Sequence, residues 1–166
     1  MILGKKEIMN EIKKGMVKII PFKLSQVSGA SVDLTLSNEF RVFNNKDTDV
    51  KDVLNLNKFS RKIKTKKLIL EPNDFVLGIT KERIKLPSDL CGFLQGRSRF
   101  ARIGLGIHIT ANFLHPGINN KQVLEIKNLS NSRIVLRSGE KICQLILERV
   151  EGGVTYKGKY KNQNVL

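Results

Sequence analysis

The sequence predicts a mainly β fold of the sandwich, barrel or jelly-roll type. Short runs rich in Val, Ile, Leu and Phe alternate with turns of Asn, Asp, Gly, Ser and Pro along most of the chain. Many short strands at this spacing are typical of such folds. At 166 residues, the chain is long enough to bury the core of one domain, and it contains no internal repeat or linker.

The predicted elements begin with a helix and continue as strands. Over residues 3–14, Leu3, Ile8 and Ile12 lie near one helix face, and Gly15 can end the helix. The predicted strands are, in chain order, MVKIIPF, SVDLTL, EFRVF, KLILEP, DFVLGIT, CGFLQG, LGIHIT, QVLEIKN, RIVLRSG and ICQLILERV.

The last segment, GGVTYKGKYKNQNVL, is polar and has almost no core-forming residues. Composition alone favours a frayed terminus. The functional alternative is a flexible lid that carries Tyr156, Lys159 and Gln163.

Cysteine and histidine are too scarce, and too far apart, to predict a metal site. Cys91 and Cys143 stand in apolar surroundings, which predicts buried, reduced thiols. His108 and His115 form no HxxxH or HxE pattern, and His115 precedes Pro-Gly, so it is expected in a turn. No zinc is therefore expected.

Nothing in the sequence predicts export or membrane insertion. No apolar run approaches the roughly 18 residues of a membrane span. The N-terminal residues MILGKKEIMNEIKKG carry Lys and Glu where a signal peptide has its apolar region. The expected location is the cytoplasm, without a membrane partner.

The net charge of +15 favours polyanionic partners: nucleic acid, a membrane surface or a phosphorylated small molecule. One dense basic cluster, KFSRKIKTKK (residues 58–67), contains no acid. It is interpreted as a solvated loop or hairpin edge, because lysines discourage strand pairing. It also lacks the interleaved aromatic residues with which single-strand binders stack bases.

The segment GRSRFARIGLGIH (residues 96–108) is unusually basic. A solvated loop, a nucleic-acid grip and a phosphate cradle are the three open explanations. Ser98 is a good helix N-cap and Gly104 a good stop, which predicts one short helix with Arg97, Ser98 and Arg99 at its start. Free backbone N–H groups, arginine forks and a hydroxyl favour a phosphate site there, although this is not a Walker A pattern.

The strand QVLEIKN contains the candidate acid/base. In strict alternation, Leu124 and Ile126 point to the core, and Val123, Glu125 and Lys127 share the other face. An exposed strand carboxylate is one interpretation of Glu125. The other is a general acid/base in a partly desolvated pocket.

These motifs resemble the dCTP deaminases of the dUTPase-like superfamily. GRSRFARIGLGIHITANFLHPGINNKQVLEIKN is similar to a family pattern of Gly-Arg-Ser-Ser-Leu-Ala-Arg-x-Gly-Leu, then Thr-Ala, a turn ending in Pro-Gly or Ala-Gly, and Leu-Glu-hydrophobic-x-Asn. Matching segments elsewhere are SGASVDLTL, LEPNDFVLGITKERIKLPSDLCGFL, LRSGEKICQLIL and YKGKYKNQ. The resemblance covers nearly the whole chain, in order and with similar spacing.

The resemblance implies a homotrimer of distorted β-sandwich or jelly-roll-like subunits of the dUTPase type, with active sites between neighbouring subunits. Residues 1–153 would form the deaminase domain and residues 154–166 its C-terminal lid. The implied reaction is deamination of dCTP to dUTP and ammonia, without zinc and with Mg²⁺ carried by the triphosphate. Inhibition by dTTP is a further property found in the family.

The resemblance also implies site roles. Glu125 occupies the position of the catalytic glutamate, and Ser98 and Arg102 match the residues that organise the water and the base. The positions that match substrate-binding residues are Arg97, Ser98, Arg99, Arg102, Thr110, Ala111, His115, Val123, Tyr156, Lys159 and Gln163. Two positions depart from the usual pattern: Arg99 stands where Ser is usual, and His115 where Asp is common.

Four alternatives to a plain deaminase stay open. They are a dUTPase of the same superfamily, a bifunctional enzyme that makes dUMP from dCTP, a nucleotide sensor without activity, and a nucleic-acid-binding β-barrel suggested by the charge. The presence of Glu125 and the replacement of the turn Asp by His115 favour deamination over dUTP hydrolysis. The nucleic-acid alternative predicts binding that depends steeply on salt.

Overall fold

The computed structural model describes residues 1–44, 47–52 and 55–166. The helices are α1 (Lys5–Lys13) and α2 (Ser98–Ala101). The strands are β1 (Lys18–Ile20), β2 (Val27–Ser28), β3 (Ser31–Phe43), β4 (Ser60–Lys64), β5 (Lys67–Leu70), β6 (Phe75–Lys85), β7 (Leu90–Gly96), β8 (Leu105–Ile107), β9 (Phe113–Leu114), β10 (Asn119–Asn128), β11 (Ile134–Arg137) and β12 (Lys141–Arg149). Short 3₁₀ turns lie at Leu24–Gln26, Val50–Asp52, Leu56–Lys58 and Lys159–Asn162.

Of the described strands, ten join one curled antiparallel sheet, whose main order is β8-β10-β6-β3-β12-β7-β9. Strand β1 pairs with β6, strands β2 and β4 pair with β3, and β5 forms a separate pair with β11. Strand β3 links two layers: its first half pairs with β12, and its second half pairs with β4 and β6. The predicted mainly β, distorted sandwich fold is confirmed.

The strand predicted as SVDLTL and the strand predicted as EFRVF are one element, β3, rather than two. Its register against β6 shifts between Leu36 and Phe40, so the chain bends there without a turn. Both flanking side chains are fully buried and belong to the continuous core. Apolar residues on both sides of a bend allow one strand to serve two layers.

Helix α1 covers one end of the sheet and is confirmed, two residues shorter at its start than residues 3–14 predict. Ile8 is fully buried, and Glu11 accepts an ion-paired hydrogen bond from Arg149 at the end of β12. Gly15 follows the helix with a φ of 72°, a left-handed conformation that glycine adopts without strain. None of the helices in the described part of the chain is long and apolar enough to cross a membrane.

Both cysteines are buried and free, as predicted. Burial raises the pKa of the Cys143 thiol, because the apolar surroundings disfavour the thiolate.

The segment after β7 does form a short helix, but Ser98 is not its N-cap. Arg97 has the extended backbone of the cap position, and no side chain caps the helix. The prediction was wrong because Arg97 is held by distant strands: its Nη1 donates to the carbonyl of Lys141 at 2.9 Å, and its Nε lies 3.4 Å from Asp33. Gly104 follows the helix with a φ of 77°, as its predicted role as a stop requires.

The basic cluster over residues 58–67 includes β4, which pairs with β3. Strand β5 pairs with β11 rather than with β4, so the cluster is not a hairpin. Its cations at 61, 62, 64, 66 and 67 are solvent-exposed, as the solvated interpretation predicts.

Candidate functional site

A cavity of about 480 Å³ opens on the face of β10 that carries Glu125. Predicted site residues that line it are Ala111, His115, Val123, Glu125, Tyr156 and Gln163. The burial of β10 alternates residue by residue, with Leu124 and Ile126 fully buried and Glu125 half-buried. The alternation predicted from the sequence is therefore confirmed, and it directs this carboxylate into the cavity.

One oxygen of the Glu125 carboxylate is held firmly by the chain. The backbone N–H and the hydroxyl of Thr110 both donate to Oε2, at 2.6 Å and 2.7 Å. No described residue donates to Oε1. The clamp fixes the rotamer of the side chain and leaves one oxygen free to bind a water or a ligand.

His108 is a cavity residue that the sequence interpretation did not include. Its backbone N–H donates to the carbonyl of Glu125 at 2.6 Å, and its φ of 56° ends β8 two residues before Thr110. Its Nδ1 is buried without a hydrogen-bond partner among the described residues. Burial lowers the pKa of the imidazole, so the neutral ring is favoured beside the carboxylate. The sequence feature that could have indicated His108 as a site residue is its position between the apolar run LGI and Thr110.

A row of aromatic rings also lines the cavity. Phe113 meets His115 edge-on at 4.7 Å between centroids, and His115 stacks on Tyr156 at 4.7 Å with 9° between the ring planes. His115 precedes the predicted turn, in which Gly117 has a φ of 78°. The turn binds Tyr156 directly, because the N–H of Tyr156 donates to the carbonyl of Pro116 at 2.9 Å.

The C-terminal segment lies over the cavity. Asn120 donates from its amide to the carbonyl of Tyr160 at 2.6 Å, and the N–H of Lys121 donates to the carbonyl of Gln163 at 2.9 Å. Tyr160 and Gln163 line the cavity, whereas Lys159 lines a neighbouring cavity of about 650 Å³. The frayed terminus that composition favours does not describe this packed segment.

The arginine run does not line the Glu125 cavity of the same chain. Arg97 binds Asp33 and the carbonyl of Lys141. Arg99 pairs with Glu140 at 3.3 Å and lies over the Phe100 ring at 4.6 Å. Ser98 and Arg102 are exposed. The predicted site residues that one chain brings together are Glu125, Thr110, Ala111, His115, Val123, Tyr156 and Gln163. The predicted site residues that lie outside that group are Arg97, Ser98, Arg99 and Arg102.

The cavity is suited to a planar polar ring and a proton transfer. A half-buried carboxylate with one free oxygen can take a proton from water and give it to a nearby nitrogen. Aromatic side chains can pack against a planar ligand, and residues of the C-terminal segment form part of the cavity wall. Among residues 1–44, 47–52 and 55–166, no group of three or more His, Cys, Asp and Glu is placed to hold a metal ion.

Comparison with known proteins gives consistent results. Residues 2–150 match the family model described as dCTP deaminase-like. Relatives from Mycolicibacterium vanbaalenii and Streptomyces coelicolor, both named "dCTP deaminase, dUMP-forming", are 38% identical over 174 and 175 residues. Each alignment covers 98% of this chain, and 92% and 91% of the respective relative.

Two solved structures share the fold. The 2'-deoxycytidine 5'-triphosphate deaminase from Agrobacterium tumefaciens matches 90% of this chain with a TM-score of 0.71 and 23% identity. This chain spans 48% of that structure's length. A dUTPase mutant from phage phi11 of S. aureus matches 86% of this chain, and 96% of its own, with a TM-score of 0.53 and 13% identity.

Proposed function

Because this chain belongs to the dCTP deaminase-like family, we propose that it catalyses the hydrolytic deamination of dCTP to dUTP and ammonia. The observation that carries the proposal is the Glu125 carboxylate, clamped through Oε2 by Thr110 and directed into a cavity sized for a nucleoside. A fixed carboxylate with one free oxygen is the group that a proton shuttle needs.

In the proposed reaction, Glu125 moves two protons and the water supplies the oxygen. Oε1 takes a proton from a water molecule as that water attacks C4 of cytosine. Glu125 then delivers the proton to the ring nitrogen N3, takes the remaining hydroxyl proton, and passes it to the departing amine, which leaves as ammonia. The chain's own residues perform these steps, in contrast to the zinc-bound water of the zinc deaminases. His108, neutral beside the carboxylate, adds no competing charge.

The proposed site needs a second copy of the chain, because Ser98 and Arg102 lie outside the Glu125 cavity of their own chain. In a homotrimer, the arginine run of one subunit completes the cavity of its neighbour, and Ser98 and Arg102 orient the water and the base. Exposed apolar side chains support subunit packing: Ile103, Ile109 and Leu129 are 53%, 45% and 61% exposed.

The substrate in this proposal is the Mg²⁺ complex of dCTP. The cation neutralises the triphosphate in solution and enters with it, so no resident metal is required. Arg97, Ser98 and Arg99 would bind the phosphates through guanidinium and hydroxyl donors. The pyrimidine would lie between Ala111 and Val123, and the sugar beside His115.

Replacing Arg97 with alanine is expected to weaken dCTP binding about tenfold or more, because a charged hydrogen bond to phosphate is lost. Deoxycytidine, which has no phosphate, should bind the variant as it binds the unmodified chain. Titration calorimetry with both ligands measures the difference. Arg133→Ala is the matched control, because Arg133 is exposed and pairs with Glu71 away from the cavity. An equal loss for both ligands would remove Arg97 from the phosphate site.

A second candidate activity is conversion of dCTP to dUMP. The names of the relatives at 38% identity favour it. Against it, the turn beside the cavity carries His115, stacked on Tyr156, where a carboxylate would be needed to position a second water. Incubation with dCTP and Mg²⁺, followed by chromatographic separation of the products, distinguishes the candidates. Ammonia with dUTP supports plain deamination, ammonia with dUMP and pyrophosphate supports the second activity, and no ammonia contradicts both.

A further inference from the structure

Arg41 is a buried cation that neither the fold nor the proposed chemistry explains. It lies in β3 and is only 3% exposed. Its Nη1 donates to Oδ1 of Asn57 and to Oγ of Ser60, both at 3.0 Å, and its Nη2 donates to the main-chain oxygen of Leu166 at 3.5 Å. Within the described part of the chain, no carboxylate side chain pairs with it.

Keeping a guanidinium at this position is costly. Its Nε is buried without a hydrogen-bond partner among the described residues, and burial lowers its pKa. An apolar side chain of similar volume would fill a buried site without this desolvation penalty. The value of the arginine must therefore come from what its remaining donors hold in place.

Those donors join two segments that are far apart in sequence. Asn57 and Ser60 belong to the turn and strand that follow β3, whereas Leu166 belongs to the C-terminal segment. Leu166 is itself only 9% exposed, so its side chain is packed against the rest of the fold. The 650 Å³ cavity beside Arg41 is lined by both segments.

The sheet register connects this anchor to the proposed catalytic site. Glu125 pairs with Leu77 of β6, and Leu77 pairs with Arg41 of β3. Side chains in register point to the same face, and two strand spacings separate Arg41 from Glu125 by about 10 Å. The C-terminal segment crosses this face: Tyr160 and Gln163 are tied to β10, and Leu166 is tied to β3.

We propose that Arg41 is the positioning residue that anchors the C-terminal segment, residues 156–166, across the Glu125 cavity. Arg41 does not line that cavity, so it acts through Tyr160 and Gln163, which line both cavities. The consequence for nucleotide affinity rests on the proposed function. The anchoring itself is a property of the nucleotide-free chain and is tested separately.

The first experiment measures tryptic cleavage of the nucleotide-free chain at Lys157, Lys159 and Lys161 by intact-mass spectrometry. Arg41→Gln is expected to accelerate cleavage about tenfold, because the segment loses a charged hydrogen bond and opens more often. Arg41→Lys should restore part of the protection. Arg83→Gln is the matched control, since Arg83 is a half-buried strand arginine that donates to Asn119 instead.

A second variant tests the contact from its other side and does not depend on the stability of the Arg41 variant. Leu166→Gly removes the buried side chain that seats the main-chain oxygen against Arg41, and it should also accelerate cleavage. The double variant Arg41→Gln/Leu166→Gly should be cleaved no faster than the faster-cleaved single variant, because both substitutions disrupt the same contact between Arg41 and the main chain of Leu166. Additive effects would overturn the proposal.

The kinetic arm uses dCTP. Arg41→Gln is expected to raise KM about tenfold and to change kcat less than about threefold, because the reacting groups are untouched. Unchanged tail cleavage together with unchanged KM, in a variant with a lowered melting temperature, would reduce Arg41 to a structural role and overturn the proposal. Protection by Arg41 in a chain that releases no ammonia would uphold the anchor and contradict only the proposed function.

Discussion

Glu125→Gln is expected to slow ammonia release from dCTP by about a thousandfold or more, because the amide cannot accept a proton from water or return it to the ring. Glutamine has the same shape and can still accept from Thr110 through its carbonyl oxygen, so the cavity should keep its form. Binding of dCTP should therefore change little. A coupled assay for ammonia and a calorimetric titration with dCTP measure the two properties.

The matched control is Glu39→Gln, which changes a half-exposed strand glutamate whose contact with Lys64 is 3.8 Å. Its activity should equal that of the unmodified chain. Undiminished deamination by Glu125→Gln would remove Glu125 from the mechanism. Loss of dCTP binding together with activity would show that the carboxylate is needed to hold the substrate rather than to move protons.

Mixed assemblies of two inactive variants are expected to regain activity. In the proposed mechanism, Glu125→Gln lacks the proton shuttle, and Arg102→Ala lacks the neighbour's contribution to the water and base. If each site takes Glu125 from one subunit and Arg102 from the next, random one-to-one mixing restores about a quarter of the sites in a cyclic trimer. Activity after co-refolding, compared with each variant alone, measures this recovery.

The control for subunit mixing pairs Glu125→Gln with Glu125→Ala, which cannot complement each other in any arrangement. This mixture should stay inactive. If the Glu125→Gln and Arg102→Ala mixture also stays inactive while forming trimers, each site draws both residues from one chain. The proposed completion of the cavity by a neighbour would then be wrong.

Local periodicity predicted the strand that carries Glu125, because the alternation in QVLEIKN depends only on which side chains face the core. Leu124 and Ile126 are fully buried, and Glu125 faces the cavity. The short helix after β7 was also predicted from local signals. Its exact start was not, because the extended backbone of Arg97 is set by contacts with Asp33 and Lys141 on distant strands.

Local sequence patterns could not predict the docking of the C-terminal segment, the burial of Arg41 or the role of His108, each for its own physical reason. The C-terminal segment docks largely through main-chain groups, such as the carbonyl of Gln163 that accepts from Lys121, and main-chain bonds place little demand on composition. Arg41 is buried beside Phe40 because β3 serves two layers, so simple alternation fails there. His108 escaped notice because a positive φ at a strand end is invisible in the sequence.

The separation of the arginine run from the Glu125 cavity could not be deduced from spacing either. In the sequence, Arg102 and Glu125 belong to one continuous motif, and in the fold β8, which follows Arg102, pairs with β10. Arg102 is nevertheless exposed and does not line the Glu125 cavity of its own chain. Spacing along a chain does not state whether two residues meet within one subunit or across a boundary between two.

The most direct test of the central claim is the fate of the water oxygen. The chain is incubated with dCTP and Mg²⁺ in ¹⁸O-labelled water, and the pyrimidine base of the product is analysed by mass spectrometry. Attack of water on C4 predicts one ¹⁸O atom in the uracil ring of the product and one ammonia per labelled base, with neither in Glu125→Gln. Recovery of unlabelled cytosine with no release of ammonia would contradict the account, even if the triphosphate were hydrolysed.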